Sequence, residues 1–238
     1  MFPDNIVKDK ENIFNGEREI GTKLEDFSND HINRYNFARY FIKANDIVLD
    51  AACGVGYGSY MLAEKALRVD ALDYDAEAIE YAKKHWHRDN IRYIQGDLLD
   101  KKAYPKGRKY NVIISFETIE HLKDDNTFLK LISERLLPGG IFLVSAPNAD
   151  ILKVEDNPWH ERHYKPAEFF RLLSKYFQYI SEFTQIDCGI SKGRGGDNNV
   201  LVCSNRPWFK ARIAIFLIHT FLYRNKKNLF RKLFNRNS

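Results

Sequence analysis

Cysteine is scarce: three residues in 238, Cys53, Cys188 and Cys203, with no C-x-x-C pair among them. An odd, dispersed set excludes a disulfide framework and a thiolate zinc knuckle. Long apolar runs are also missing. The strongest, Ile213 to Ile218, ends near Tyr223, short of the roughly 20 residues that cross a bilayer. Met1 to Glu19 mixes acids and bases without an apolar core, so no secretory leader is expected and the cytoplasm is the expected location. Neither an internal repeat nor a low-complexity linker interrupts the chain. With 44% hydrophobic and 29% charged residues the composition is globular, and the length suits one decorated domain.

Acid is absent from one region. Ser204 to Ser238 holds nine Lys and Arg and no Asp or Glu, a charge of +9 that leaves −4 for the rest of a chain totalling +5. A mildly acidic body does not track a nucleic-acid backbone, so nucleic acid is not an expected partner. The tail itself points to an anionic partner. Leu229, Phe230, Leu233 and Phe234 form an apolar face beside Arg231, Lys232 and Arg236. Such a face fits peripheral contact with the inner leaflet of a membrane, and packing on protein accounts for it equally.

From Asp46 onward, short apolar runs alternate with amphipathic segments. Ile47–Asp50, Val69–Asp73, Ile91–Ile94, Asn111–Ser115 and Ile141–Val144 read as buried strands. Helices follow Gly58, begin after the Asp75 cap with Ile79, Ala82 and Trp86 on one face, and run from Asn126 to Leu136. This alternation predicts a doubly wound, mostly parallel α/β sheet covered on both faces. Pro166 to Phe177 reads as a further helix. Phe177–Ile186 and Asn199–Cys203 read as an antiparallel pair joined by the loop Gly189–Gly196. Three regions result: a helical cap at 1–45, with Asp30–Lys43 its most regular part, the sheet domain at 46–203, and the tail at 204–238.

Asp50-Ala-Ala52-Cys-Gly54-Val-Gly56-Tyr-Gly58 sits just past the first strand, where a doubly wound fold places its ligand. A dinucleotide fingerprint would need glycine at position 59, which is Ser59. A carboxylate at Asp50 is a poor neighbour for a pyrophosphate and a good one for an ammonium. A nicotinamide-dependent dehydrogenase is therefore the lesser alternative.

From Arg34 to Phe177 the chain resembles the class I S-adenosylmethionine-dependent methyltransferases. The resemblance implies a Rossmann-like sheet of seven strands with an antiparallel edge strand. It also implies S-adenosylmethionine as cofactor and methyl transfer as the activity. Asp50, Ala52, Gly54 and Gly56 match the loop that cradles the amino-acid end of the cofactor. Asp73, followed by Tyr74, matches the acid that binds the ribose hydroxyls, and Asp97-Leu98 the position that meets the adenine. Ser115 and Phe116 match the end of the fourth strand. Asp50, Asp73 and Asp97 would then face one crevice.

Glu117-Thr-Ile-Glu120-His121 follows directly. If it is helical, both carboxylates and the imidazole share a face. His121 is the expected base for a hydroxyl acceptor, with Glu117, Glu120 and a later histidine, His160, completing the catalytic set. E-x-x-E-H is also similar to the ligand set of small-RNA 2′-O-methyltransferases and to a pattern in ubiquinone-biosynthesis O-methyltransferases. That similarity would make Glu117, Glu120, His121 and His160 a divalent metal site, the less favoured use of these residues. His160 and His163 are expected in a substrate-facing loop, while His31, His85, His87 and His219 are set aside as surface or packing residues. Gly16-Glu-Arg18 and His31 to Ala38 resemble the leader of methyltransferases of cell-surface glycan pathways, in which Arg34 or Tyr35 reaches the cofactor or substrate. The expected acceptor is the hydroxyl of a small molecule, sugar or lipid-linked glycan. RNA 2′-O-methylation and a non-catalytic binding subunit are the alternatives.

Overall fold

A computed structural model describes residues 18–152, 157–186, 189–206 and 213. Eight strands form one sheet in the order β3-β2-β1-β4-β5-β8-β6-β7. The first five, β1 (Ile47–Ala51), β2 (Arg68–Asp73), β3 (Ile91–Gln95), β4 (Tyr110–Ser115) and β5 (Leu136–Pro147), run parallel. β8 (Asn198–Ser204) pairs antiparallel with β5 and with β6 (Tyr179–Ile186), and β7 (Gly189–Lys192) pairs antiparallel with β6. The expected count of seven is corrected to eight. Gly189 to Lys192, read as part of a loop, adds a short strand at the far edge, and β6 and β8 lie inside the sheet.

The near-continuous apolar strands have a simple cause: successive side chains point to opposite faces, and both faces are covered. Val48, Ile114 and Leu143 enter one core, and Leu49, Ile113 and Phe142 the other. Helices α1 (Asn29–Arg39), α2 (Tyr57–Ala63) and α3 (Ala76–His85) cover the first face; α4 (Asp125–Arg135) and α5 (Pro166–Ser174) cover the second. Local chemistry sets their ends. Asp75 caps α3 by accepting from the backbone N–H of Glu77 and Ala78, and Asp124 caps α4 through Thr127 N–H. Pro166 opens α5, where its missing N–H costs nothing.

Helix α1 is the described core of the N-terminal cap. Gln185 of β6 anchors it by donating to both the carbonyl and the carboxylate of Asp30 and accepting from Arg34. The strand order reverses between β1 and β4, which opens a crevice beyond their carboxyl ends. Among the described residues no helix is long and apolar enough to cross a membrane. Of the basic tail, residues 207–212 and 214–238 lie outside the described set. Ile213 is described and is buried in the first core.

Candidate active site

The loop after β1 folds back at once: the N–H groups of Ala52 and Cys53 both donate to the Leu72 carbonyl, at 2.8 and 3.0 Å. Ala52 takes a left-handed φ of 71° to do so, a conformation that costs a non-glycine residue about 1 kcal/mol or more. Two glycines answer to close approach. A Cβ on Gly56, where φ is 93°, would stand 2.6 Å from Ala82 Cβ. One on Gly58 would stand 2.0 Å from Tyr35 Cζ, so α1 lies directly on the first turn of α2. Over this loop opens a cavity of about 920 Å³, in the size range of small-molecule sites.

Asp73 and Asp97 line the cavity, as expected. Asp73 accepts from Gly54 N–H at 2.7 Å and Asp75 N–H at 3.0 Å, which ties the loop to the tip of β2. Burial raises its carboxyl above the usual range, against these donors and the nearby Arg18. Tyr74, 74% exposed, and Leu98 stand beside the two acids on the same wall, and Ala52, Gly54 and Phe116 complete the line. Asp50, Gly56 and Ser115 do not line it. Asp50 is 1% exposed beneath the loop, where Ser59 Oγ donates to it at 2.6 Å and Tyr35 OH at 3.3 Å. Burial pushes its carboxyl up to about 7, with those two hydroxyls opposing and Asp73 adding to the rise.

The segment from Glu117 to His121 departs from the helical expectation. Only Ile119–His121 makes a turn, of the 3-10 type, and Glu117 sits before it with a left-handed φ of 49°. Ser145 of β5 holds it there, accepting from Glu117 N–H at 3.1 Å and donating to its Oε1 at 2.5 Å. Glu117 therefore does not share a helical face with Glu120 and His121, although it lines the same cavity as they and His160 do. Glu120, His121 and His160 bring one ligand-type atom each to within 4.8 Å of one another.

His121 is held by the loop that follows. Its Nδ1 lies 2.9 Å from the carbonyl of Trp159, and a carbonyl only accepts, so Nδ1 donates this bond. Glu120 Oε1 stands 4.0 Å from its Nε2. The loop supplying Trp159 is clamped in turn: the N–H groups of Glu161 and Arg162 donate to Glu120 O, and Arg162 pairs with Asp125 at 2.9 Å. Asn157 donates through Nδ2 to His160 Nε2 at 3.1 Å and accepts from Trp159 N–H through Oδ1 at 3.0 Å. His163 meets His160 edge-on, with ring centroids 5.4 Å apart, and does not line the cavity.

The cap supplies the opposite wall. Arg34, 3% exposed, donates through Nη1 to Gln185 and, with the Asn198 amide oriented to satisfy both its neighbours, to Asn198 Oδ1 at 2.7 Å. That amide then donates to Glu117 Oε2 at 3.3 Å. Both partners of Arg34 are neutral, and it forms no ion pair among the described residues. His31, set aside in the sequence, lines the cavity and meets Tyr57 OH at 3.2 Å. Burial and the charge of Arg34 hold it below its ordinary value, against the pull of Glu19. Arg18 pairs with Asp75 at 2.5 Å and reaches to 3.8 Å from Asp73. Trp159, Asn157 and Ser145 carried no signal in the sequence, because each matters through a partner 28 to 38 residues away or through the loop it braces.

The crevice offers a glycine loop that partly lines it, two carboxylates and a buried arginine with donors to spare. Residues 42–189 match the family model described as a methyltransferase domain. A probable S-adenosylmethionine-dependent methyltransferase of Mycolicibacterium smegmatis is 36% identical over 130 residues, covering 53% of this chain and 49% of that protein. A ubiquinone biosynthesis O-methyltransferase of Vibrio parahaemolyticus is 28% identical over 145 residues, covering 54% and 61%. The chain spans about half the length of the first of these. A Thermotoga maritima S-adenosylmethionine-dependent methyltransferase, described as a possible histamine N-methyltransferase, shares the fold with a TM-score of 0.61 at 14% identity, covering 74% of this chain and 89% of that one. With a match to its model over more than half of its length, the chain belongs to the methyltransferase-domain family.

Proposed function

We propose that this protein methylates a hydroxyl group of a small-molecule, sugar or lipid-linked acceptor with S-adenosylmethionine, and that His121 takes the hydroxyl proton. The observation that supports this reading is the His121–Trp159 contact, which uses Nδ1 and would leave Nε2 as the basic nitrogen of a residue lining the same cavity as Asp73 and the glycine loop. Asp73 would hold the ribose hydroxyls, Asp97 the adenine edge, and the spare nitrogens of Arg34 the cofactor carboxylate. When bound, the cofactor supplies a methyl group on a positively charged sulfur, an electrophile that needs no further activation. The chain's own task is to seat the acceptor and remove its proton. A positioned base contributes about 10²–10⁴-fold. Similarity to O-methyltransferases of ubiquinone biosynthesis supports oxygen as the accepting atom.

The test is transfer from labelled cofactor to a lipid extract, a glycan fraction and total RNA. His121→Ala should lower turnover by about 10²–10⁴-fold while cofactor affinity is unchanged. Label in RNA alone would replace this reading with 2′-O-methylation. Tight cofactor binding without transfer to any fraction would make the chain a binding subunit.

A second reading places a divalent cation on Glu120, His121 and His160, favoured by their clustering. Mixed carboxylate and imidazole donors suit manganese, iron, cobalt or zinc. Full activity in chelator would remove it. The basic tail, outside the described residues except for its first few and Ile213, is proposed to hold a cytoplasmic enzyme at an anionic membrane surface. Truncation before Ile213 should abolish sedimentation with anionic liposomes, and a truncated protein that still pellets would refute this.

A further inference from the structure

Trp159 is 54% exposed, an unusual state for the largest apolar side chain, and it lines the cavity next to His121. Its exposure does not come from a loose backbone. Trp159 N–H donates to Asn157 Oδ1 at 3.0 Å and its carbonyl accepts from His121 at 2.9 Å. The residues after it are pinned to Glu120 O, and Arg162 donates to the Lys123 carbonyl at 2.8 Å. These contacts use the backbone of Trp159, and the residue stays more than half exposed where it lines the cavity. A flat apolar surface of this size presented to water on a fixed seat is a binding surface for another flat ring. Leu98, Leu122 and Pro147 line the same cavity and add apolar surface to it.

Resting on the methyltransferase reading above, we infer that Trp159 is the platform for the acceptor, and that the accepting hydroxyl is carried on a six-membered ring with an apolar face. One residue would then serve two ends. Its carbonyl orients the base and its side chain seats the ring, so the hydroxyl and Nε2 of His121 are brought into register by a single residue. A phenol and a pyranose both offer that ring chemistry.

The experiment uses the full chain saturated with S-adenosylhomocysteine and two probes, catechol and methyl glucoside, followed by tryptophan fluorescence and calorimetry. Of the other two tryptophans, Trp86 is buried, with its indole N–H bonded to Gly21 O, and Trp208 lies outside the described residues, so Trp159→Leu assigns the signal. The expected result is saturable binding of at least one probe, with a fluorescence change that vanishes in Trp159→Leu. Affinity should fall about tenfold in Trp159→Leu, equivalent to about 1.4 kcal/mol, and stay within about threefold of wild type in Trp159→Phe. Response to catechol alone names a phenolic acceptor and response to the glycoside alone a sugar. Binding of neither probe, or equal binding by wild type and Trp159→Leu, overturns the inference. Affinity for S-adenosylhomocysteine in each variant reports folding and the cofactor reading separately. If that nucleoside fails to bind wild type, it is the methyltransferase reading that falls.

Discussion

Asp50 offers the sharpest test of the electrostatics beneath the cofactor loop. Moving its carboxyl from 3.8 to about 7 corresponds to about 4 kcal/mol against the ionised form. The sign follows from proton counts. The folded protein holds this proton more tightly than the unfolded chain, so the contribution of Asp50 to stability is complete below the unfolded value of 3.8, falls as pH rises, and is gone above about 7. Asp50→Asn mimics the protonated acid at all pH values. Its Oδ1 can still accept from Ser59, and its amide can donate to the Tyr35 oxygen in place of the bond that tyrosine makes now. At about pH 8 the cofactor-free variant should therefore be more stable than wild type by up to about 4 kcal/mol, or about 10 °C in melting temperature. The gap should shrink by more than half at about pH 5, where wild type is largely protonated when folded. Thermal melts across that range, without ligand, measure both quantities. A variant that melts at or below wild type at high pH, or a gap that ignores pH, would refute the argument.

Asp73→Ala removes an acceptor from the cavity and frees Gly54 N–H, and should weaken S-adenosylhomocysteine by about 10–100-fold by calorimetry; unchanged affinity would contradict its ribose role. Gly58→Ala drives a methyl group into the Tyr35 ring and should cost about 1–3 kcal/mol in urea unfolding. Pairing it with Tyr35→Ala should recover part of that loss, and strict additivity of the two would show that the ring is not the obstacle. Gln185→Ala removes one of the two acceptors of a buried guanidinium and the donor to Asp30 at the start of α1, and should cost about 1–3 kcal/mol; a neutral result would mean that α1 is held elsewhere.

Local pattern was enough for the parallel part of the sheet and one half of the crevice. Burial on both faces writes near-continuous apolar strands, caps and glycines mark where those strands hand over to helices, and an acid at each of three successive strand tips needs no distant information to be located. Two of those acids, Asp73 and Asp97, stand in the cavity wall, and the third is folded beneath it because Tyr35 and Ser59 reach it from two helices. The other half was a matter of tertiary contact. Glu117 looks like one turn of helix with His121 until Ser145, 28 residues later, bends its backbone into the left-handed region. His121 acquires its Nδ1 partner from a carbonyl 38 residues away, and Arg34 a place on the wall from Gln185, 151 residues away. Periodicity reports only which side of an element is buried, whereas loop conformation and the proton on an imidazole depend on partners that the folded chain alone brings within hydrogen-bond reach.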